Sequence, residues 1–301
     1  MKKICLLYGG GTTEGEVSVQ SSRSFLEALK KLSFTVHELE FSPNFISDIQ
    51  TIKPDIVFNA MHGKYGEDGV VPTILNFLQV PYTHSGRKAS VLGMDKIVVK
   101  EIAKNLDIPI VPHYIATKKQ ILNGDFARFP KSFIKPFAEG STIGCIKLFE
   151  ERLTNEDKET IKKVEDDIFI IEEFFDGVEI SSGILNGKSI GSVEISPKSG
   201  YYDYNSKYTK GATEYFLPPR IPELIANKIE SAALVIHNAI GAKSVSRSDF
   251  LVNGEDFRFL EINTHPGCTT TSLIPKMALS KGIAFVDIVK ILIEDASFES
   301  Y

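Results

Sequence analysis

The chain has 301 residues, 43% of them hydrophobic and 24% charged, with a net charge of −5. That is an ordinary globular composition, long enough for two or three domains, and its acidic balance argues against a nucleic-acid or anionic-membrane partner. Three scattered cysteines (Cys5, Cys145, Cys268) make neither a disulfide framework nor a zinc site, which fits a reducing cytoplasm, and no apolar run approaches the roughly 18 residues that span a bilayer. Residues 3–8 form a short apolar run ending in Gly9-Gly10-Gly11, which reads as a buried strand turning into a glycine loop. Helical spacing follows over 18–32, with Phe25, Leu26, Leu29 and Leu32 on one stripe. Strands are expected at 35–41 and 55–61, a helix at 70–78 and one long helix at about 90–105. Strands alternating with helices predict a parallel, doubly wound sheet.

Past Pro112 the pattern changes. A strand at 131–137 leads into the small-residue loop AEGSTIG, followed by a helix at 155–164 and a strand at 169–175. Alternating apolar residues flank Asn186-Gly187 and again Asn253-Gly254, and an Asn-Gly pair between strands marks a hairpin. Between the hairpins lie a polar segment, 197–215, and a helix at 222–239; a helix at 283–294 closes the chain. The polar segment is too long for a turn and reads as a lid.

The second hairpin carries the strongest chemistry. Glu261 and Asn263 are two apart on a strand and share a face, and Asp249 on the preceding strand can reach it. Two carboxylates and an amide oxygen make a hard site suited to Mg²⁺, whose remaining ligands are waters and phosphate oxygens. There is no GxxxxGK[ST] loop. Instead Lys135 sits on a strand before Gly140, Ser141, Thr142 and Gly144, and Lys96 offers a second ammonium; such a pairing suits nucleotide phosphates. The strand end at 170–175 can present backbone groups to a base edge, with Phe174 as an apolar wall and Glu179 near sugar hydroxyls. Taken singly, each feature has an ordinary reading: solvated strand charges, a helix face, a core strand.

In this order the pieces resemble the D-alanine–D-alanine ligase family. The matching motifs are GGGTTEGEVS (9–18), HGKYGEDG (62–69), GMDK (93–96), FIKPFAEGSTIG (133–144), EEFFDGVE (172–179), GYYDYNSKY (200–208), SRSDF (246–250) and EINTHPGCTTTSL (261–273), and they cover nearly the whole chain. The resemblance implies an α/β (α+β) three-domain ATP-grasp fold with an N-terminal doubly wound parallel-sheet domain, divided at 1–94, 95–178 and 179–301. It implies a cytoplasmic homodimer that joins two D-alanines through an acyl phosphate for peptidoglycan synthesis, using ATP and two Mg²⁺, with Mn²⁺ able to substitute. Glu14 and His62 would hold the first D-alanine, with Ser141 and Tyr208 completing a hydrogen-bonded set around Glu14. Lys96, Lys135, Ser141 and Lys207 would hold phosphates, and Glu172, Glu173, Phe174, Phe175 and Glu179 the adenosine. Asp249, Glu261 and Asn263 would bind metal. Arg247 and the Gly267 N–H would stabilise the oxyanion, and Ser272 and Leu273 would take the second carboxylate.

Three departures touch this pattern: Gly15 for a usual arginine, Val178 before the ribose acid, and Thr142 for a serine. Cys268 stands where methionine is common, which places a thiol beside the oxyanion site and predicts sensitivity to thiol reagents. Three other readings remain. A D-alanine–D-lactate ligase shares the fold; a non-catalytic nucleotide-binding module is opposed by the joint presence of Lys135, Arg247, Asp249, Glu261 and Asn263; an NAD-dependent oxidoreductase lacks its GxGxxG.

Overall fold

The computed structural model describes residues 2–9, 15–127, 129–138, 144–149, 152–198, 209, 211–269 and 272–299, without the side chains of 15–17. In the first sheet β1 (Lys3–Gly9) lies between β2 (Thr35–Phe41) and β3 (Ile56–Asn59), and both pairings are parallel. Alternation along β1 sends Ile4 and Leu6 to one face, against Phe25, Ala28 and Leu29 of α1 (Gly15–Lys31). Cys5 and Leu7 go to the other, against Phe45 and Ile49 of α2 (Phe45–Ile52) and Val71 and Leu75 of α3 (Val70–Phe77). With both faces covered, the strand has to be apolar at successive positions, and the doubly wound expectation holds.

The single helix expected at 90–105 is two helices, α4 (Arg87–Met94) and α5 (Lys96–Asn105). Asp95 between them is extended, and its carboxylate accepts the N–H groups of Ile97 and Val98, both at 3.0 Å. A short acid that caps the helix after it ends the one before it.

The second sheet runs β4-β7-β5-β6, from β4 (His113–Thr117), β5 (Ser132–Pro136), β6 (Ile146–Leu148) and β7 (Ile168–Glu173), all antiparallel. Helices α6 (Lys118–Asn123) and α7 (Asn155–Lys163) each open with a capping box, at Thr117/Gln120 and Thr154/Asp157. Through Ile121 and Ile161 they cover the face bearing Ile134, Phe169 and Ile171. The opposite face carries Lys135, Ile170 and Glu172, and this is the side turned to the site.

The third sheet runs β10-β9-β8-β11-β12, from β8 (Val178–Leu185), β9 (Lys188–Pro197), β10 (Thr213–Phe216), β11 (Val245–Asn253) and β12 (Asp256–Asn263). Asn186 and Gly187 both have positive φ, as a type I′ hairpin requires. At the second hairpin Asn253 stays in the ladder opposite Asp256, and Gly254 (φ +60) opens the loop instead. α8 (Glu223–Ile240) packs Ile229, Ala233 and Ile236 on Ile180, Phe250 and Phe259. α9 (Leu273–Ser280) and α10 (Phe285–Glu294) bury Ile274, Met277, Ile288 and Leu292 with Leu6, Phe25 and Ile195, so the first and third sheets share one core. Of the expected lid, residues 213–216 are β10, bonded to β9, while 199–208 and 210 lie outside the described residues.

Candidate active site

In the β11–β12 ladder Asp249 stands opposite Glu261 and Arg247 opposite Asn263. Residues facing each other across a ladder, and those two apart, share a face, so these four project together. On the other side Asp249 faces Ser181 of β8, which brings Glu179 to the same face two residues away. An irregularity after Asp249 puts Phe250 opposite Phe259 and leaves Leu260 as the extra residue, turning the strand just before Glu261. Asp249 is buried. Its carboxylate accepts Arg247 Nε at 3.0 Å and Nη2 at 2.9 Å, and also the Ser181 hydroxyl. Asn263 Oδ1 accepts the His265 N–H at 2.7 Å and retains a second lone pair. The donor set fits Mg²⁺: all hard oxygens, too few to close a coordination sphere, leaving positions for phosphate oxygens.

Lys96, the first residue of α5, brings its ammonium 3.5 Å from Glu261 Oε2, while its backbone N–H bonds the Phe137 carbonyl. Lys135 on β5 lies 2.6 Å from Glu172 Oε2 on β7. The other oxygen, Oε1, is 2.8 Å from Lys100, a wholly buried lysine one helical turn beyond Lys96. Burial favours the neutral acid, but Lys100 and Lys135 outweigh it and hold Glu172 well below the usual carboxylate range. Burial likewise opposes the Lys135 ammonium, yet Glu172, with Cys145 and Glu261 adding to it, holds its pKa above the ordinary lysine value. Lys100 is drawn below that value by burial, against the pull of Glu172. Sequence reasoning missed Lys100. The available signal was its place in KIVVK, where position i+4 from Lys96 adjoins Val99 and Ala103, both buried.

β7 ends before Phe174, whose N–H bonds the Lys131 carbonyl at 2.9 Å and whose ring meets Phe133 and Phe149 at centroid distances of 6.0 and 4.8 Å. Phe175 lies under the Arg258 guanidinium, 5.3 Å from the ring centre. Glu173 points to the opposite face of the sheet from Glu172 and Lys135.

The third group of expected residues also converges. A Cβ built on Gly267 would lie 3.5 Å from Ser272 Oγ and 4.0 Å from His62 Cε1. His62 is buried, with Nε2 3.0 Å from Ser21 Oγ and Nδ1 3.2 Å from Glu67 Oε1, two partners sequence reasoning did not name. Ser272 is the N-cap of α9, and its Oγ accepts the Thr269 N–H at 3.0 Å; Leu273 begins the helix. The loop between β12 and α9 is fixed by histidines. His265 stacks on His84 with centroids 3.8 Å apart, meets His62 edge-on at 5.9 Å, and sits with Nδ1 3.4 Å from Asn59 Nδ2. Close approach at Gly93 of α4 seats the same loop, since a Cβ there would stand 2.8 Å from Thr264 Cγ2. Burial opposes the reactivity expected of Cys268. Cys268 is buried among apolar side chains, and burial pushes its thiol up to about 12. Glu14, Ser141, Lys207 and Tyr208 lie outside the described residues.

Two antiparallel sheets that face lysines and an acid from one side and oxygen donors from the other, beside a parallel-sheet unit, form the ATP-grasp fold of carboxylate–amine ligases. Residues 102–294 match the family model described as the D-ala D-ala ligase C-terminus. The D-alanine–D-alanine ligase of Wolbachia pipientis wMel is 37% identical over 300 residues, covering 97% of this chain and 94% of that one. The crystal structure of the Bacillus anthracis D-alanine–D-alanine ligase superposes with a TM-score of 0.83 at 27% identity, covering 98% of this chain and 97% of that one. That of the VanG D-Ala:D-Ser ligase from Enterococcus faecalis gives 0.81 at 25% identity, covering 97% and 98%. The chain belongs to the D-alanine–D-alanine ligase family.

Proposed function

We propose that this chain joins two D-alanine molecules into D-alanyl-D-alanine at the expense of ATP, for peptidoglycan precursor synthesis. The observation that carries the reading is the single face shared by Arg247, Asp249, Glu261 and Asn263, met from the side by Lys96. The first D-alanine carboxylate attacks the γ-phosphate, giving an acyl phosphate and ADP; the second amine attacks the acyl carbon and phosphate leaves. A carboxylate is a poor acylating agent at neutral pH, so phosphorylation supplies the leaving group, and the protein's share is positioning and charge stabilisation.

Lys96, Lys135 and Lys207, with Ser141, hold the triphosphate, while the strand end from Glu172 through Glu173, Phe174 and Phe175, with Glu179, holds adenosine. Asp249, Glu261 and Asn263 would hold two Mg²⁺, or Mn²⁺, and metal bound there would neutralise charge on the phosphates. Glu14 and His62 orient the first ammonium, and Ser141 and Tyr208 complete the hydrogen-bonded set around Glu14. Arg247 and the Gly267 N–H face the oxyanion. Ser272 and Leu273, at the N-terminus of α9, receive the second carboxylate, as suits a helix end. The division proposed at 1–94, 95–178 and 179–301 is supported by one sheet in each span, except that β8 of the third sheet starts at Val178. A cytoplasmic location and a homodimer rest on family resemblance, and light scattering tests the dimer.

Phosphate release from ATP as a function of added D-alanine, with L-alanine as control, tests the assignment; release independent of D-alanine would sink it. Mass spectrometry of products from mixtures of D-alanine with D-lactate or D-serine decides the second substrate.

A further inference from the structure

Lys100 is in a position to matter without touching a ligand. Its side chain is 0% exposed, whereas that of Lys135 is 21% exposed. Each lysine takes a different oxygen of the same buried carboxylate, Glu172 Oε1 at 2.8 Å and Oε2 at 2.6 Å. Lys100 also lies 3.4 Å from the Phe259 carbonyl and 6.0 Å from the centre of its ring. Phe259 is two residues before Glu261 on β12, so one ammonium joins α5, the second sheet and the strand of the proposed metal site.

A buried carboxylate satisfies its charge through whatever cation is within reach. With Lys100 on Oε1 and Lys135 on Oε2, Glu172 divides its charge between two ammonium groups. Without Lys100, the full charge would fall on Lys135 in a low-dielectric site and hold that ammonium back from any other anion. We propose that Lys100 is a positioning residue of the nucleotide site: by occupying Glu172 Oε1 it keeps Lys135 available to the triphosphate. The proposal rests on the ATP reading above, and the roles differ in kind, since Lys135 would meet phosphate and Lys100 would not.

Tripolyphosphate, competing with ATP, is the probe, because it carries no base for Glu172 to contact. Lys100→Met should raise its dissociation constant about tenfold and raise the KM for ATP more than it lowers kcat at saturating ATP. Adding Glu172→Gln should restore tripolyphosphate affinity to within about threefold of the wild type, because the competing carboxylate is gone. A role confined to packing α5 against β12 would not be rescued by a change on β7. Unchanged affinity in Lys100→Met, or no rescue in the double variant, would overturn the proposal. Should Lys100→Met not fold, the double variant is compared with Glu172→Gln alone. Equal affinities support the proposal, since Lys100 then has nothing to hold; a tenfold weaker double variant overturns it. Failure of the wild type to bind ATP would instead strike the ligase reading.

Discussion

Two buried polar clusters flank the candidate site, and they meet the cost of burial in opposite ways. Between α5, β5 and β7 opposite charges meet: one carboxylate lies between two lysines, which hold Glu172 low while Glu172 holds Lys135 high against burial. Between β3 and the loop after β12, histidines give up the proton. Burial, with His62 adding to it, pushes His84 down to about 3; burial, with His84 and His62 adding to it, holds His265 well below the ordinary histidine value. The same desolvation acts on both clusters. What differs is whether an opposite charge lies within hydrogen-bond reach. A carboxylate shared by two lysines marks the proposed nucleotide side, and neutral rings mark the place where one loop is laid flat on another.

The largest break in this contrast is expected from Glu172→Ala, which removes the carboxylate that both lysines contact. Urea unfolding should find it about 3–5 kcal/mol less stable; a loss under about 1 kcal/mol would mean that charge does not organise the cluster. On the adjoining face, Asp249→Asn keeps the shape and removes the charge. Steady-state assays should give kcat lower by about a hundredfold or more, and near wild-type turnover would remove Asp249 from the metal site.

The histidine side is tested by pH. The folded pKa values of His84 and His265 lie below the unfolded value of about 6.5. The unfolded chain therefore binds more protons in the window between them. Stability contributed by neutral rings is present above about pH 7 and is lost as pH falls through 6.5, by about 2 kcal/mol per ring between pH 7 and pH 5. Denaturation at the two pH values should show this fall, and His84→Phe should lessen it; equal falls in both proteins would contradict neutral burial. A smaller effect, about 1 kcal/mol, is expected for Asp95→Ala, which uncaps the helix carrying Lys96 and Lys100. The smallest is none at all. Iodoacetamide should leave Cys268 unmodified in the folded protein by mass spectrometry, whereas rapid labelling would contradict its burial.

Much of this was legible in the chain itself, for local reasons. The 35–41 strand was read to the residue, and the shared face of Asp249, Glu261 and Asn263 follows from the two-residue period of strands joined by a tight turn. The three residues of β6 and four of β10 are too short to show any period, and Asp95 hid a break inside an apolar pattern. The Glu172–Lys135 contact runs diagonally across an antiparallel ladder, where Glu172 faces Phe133 and Lys135 faces Ile170, so it cannot be found without the register. Lys100 has the i+4 spacing of a solvated stripe and is distinguished only by what packs over it. His84 and His265 stack although the chain keeps them far apart, and nothing in either neighbourhood names the other.

The close seating of α4 against Thr264 has a consequence for anyone diversifying this chain. At position 93 an added carbon would stand 2.8 Å from Thr264 Cγ2, so the side chain next to Asn263 has to give way. Alanine or serine there is expected to lower turnover by disturbing Thr264 beside Asn263, so a screen would register a lesion at a residue with no chemistry of its own. Tolerance to enlargement thus maps the fit between the packed elements of this enzyme, independently of any map of its reactive groups.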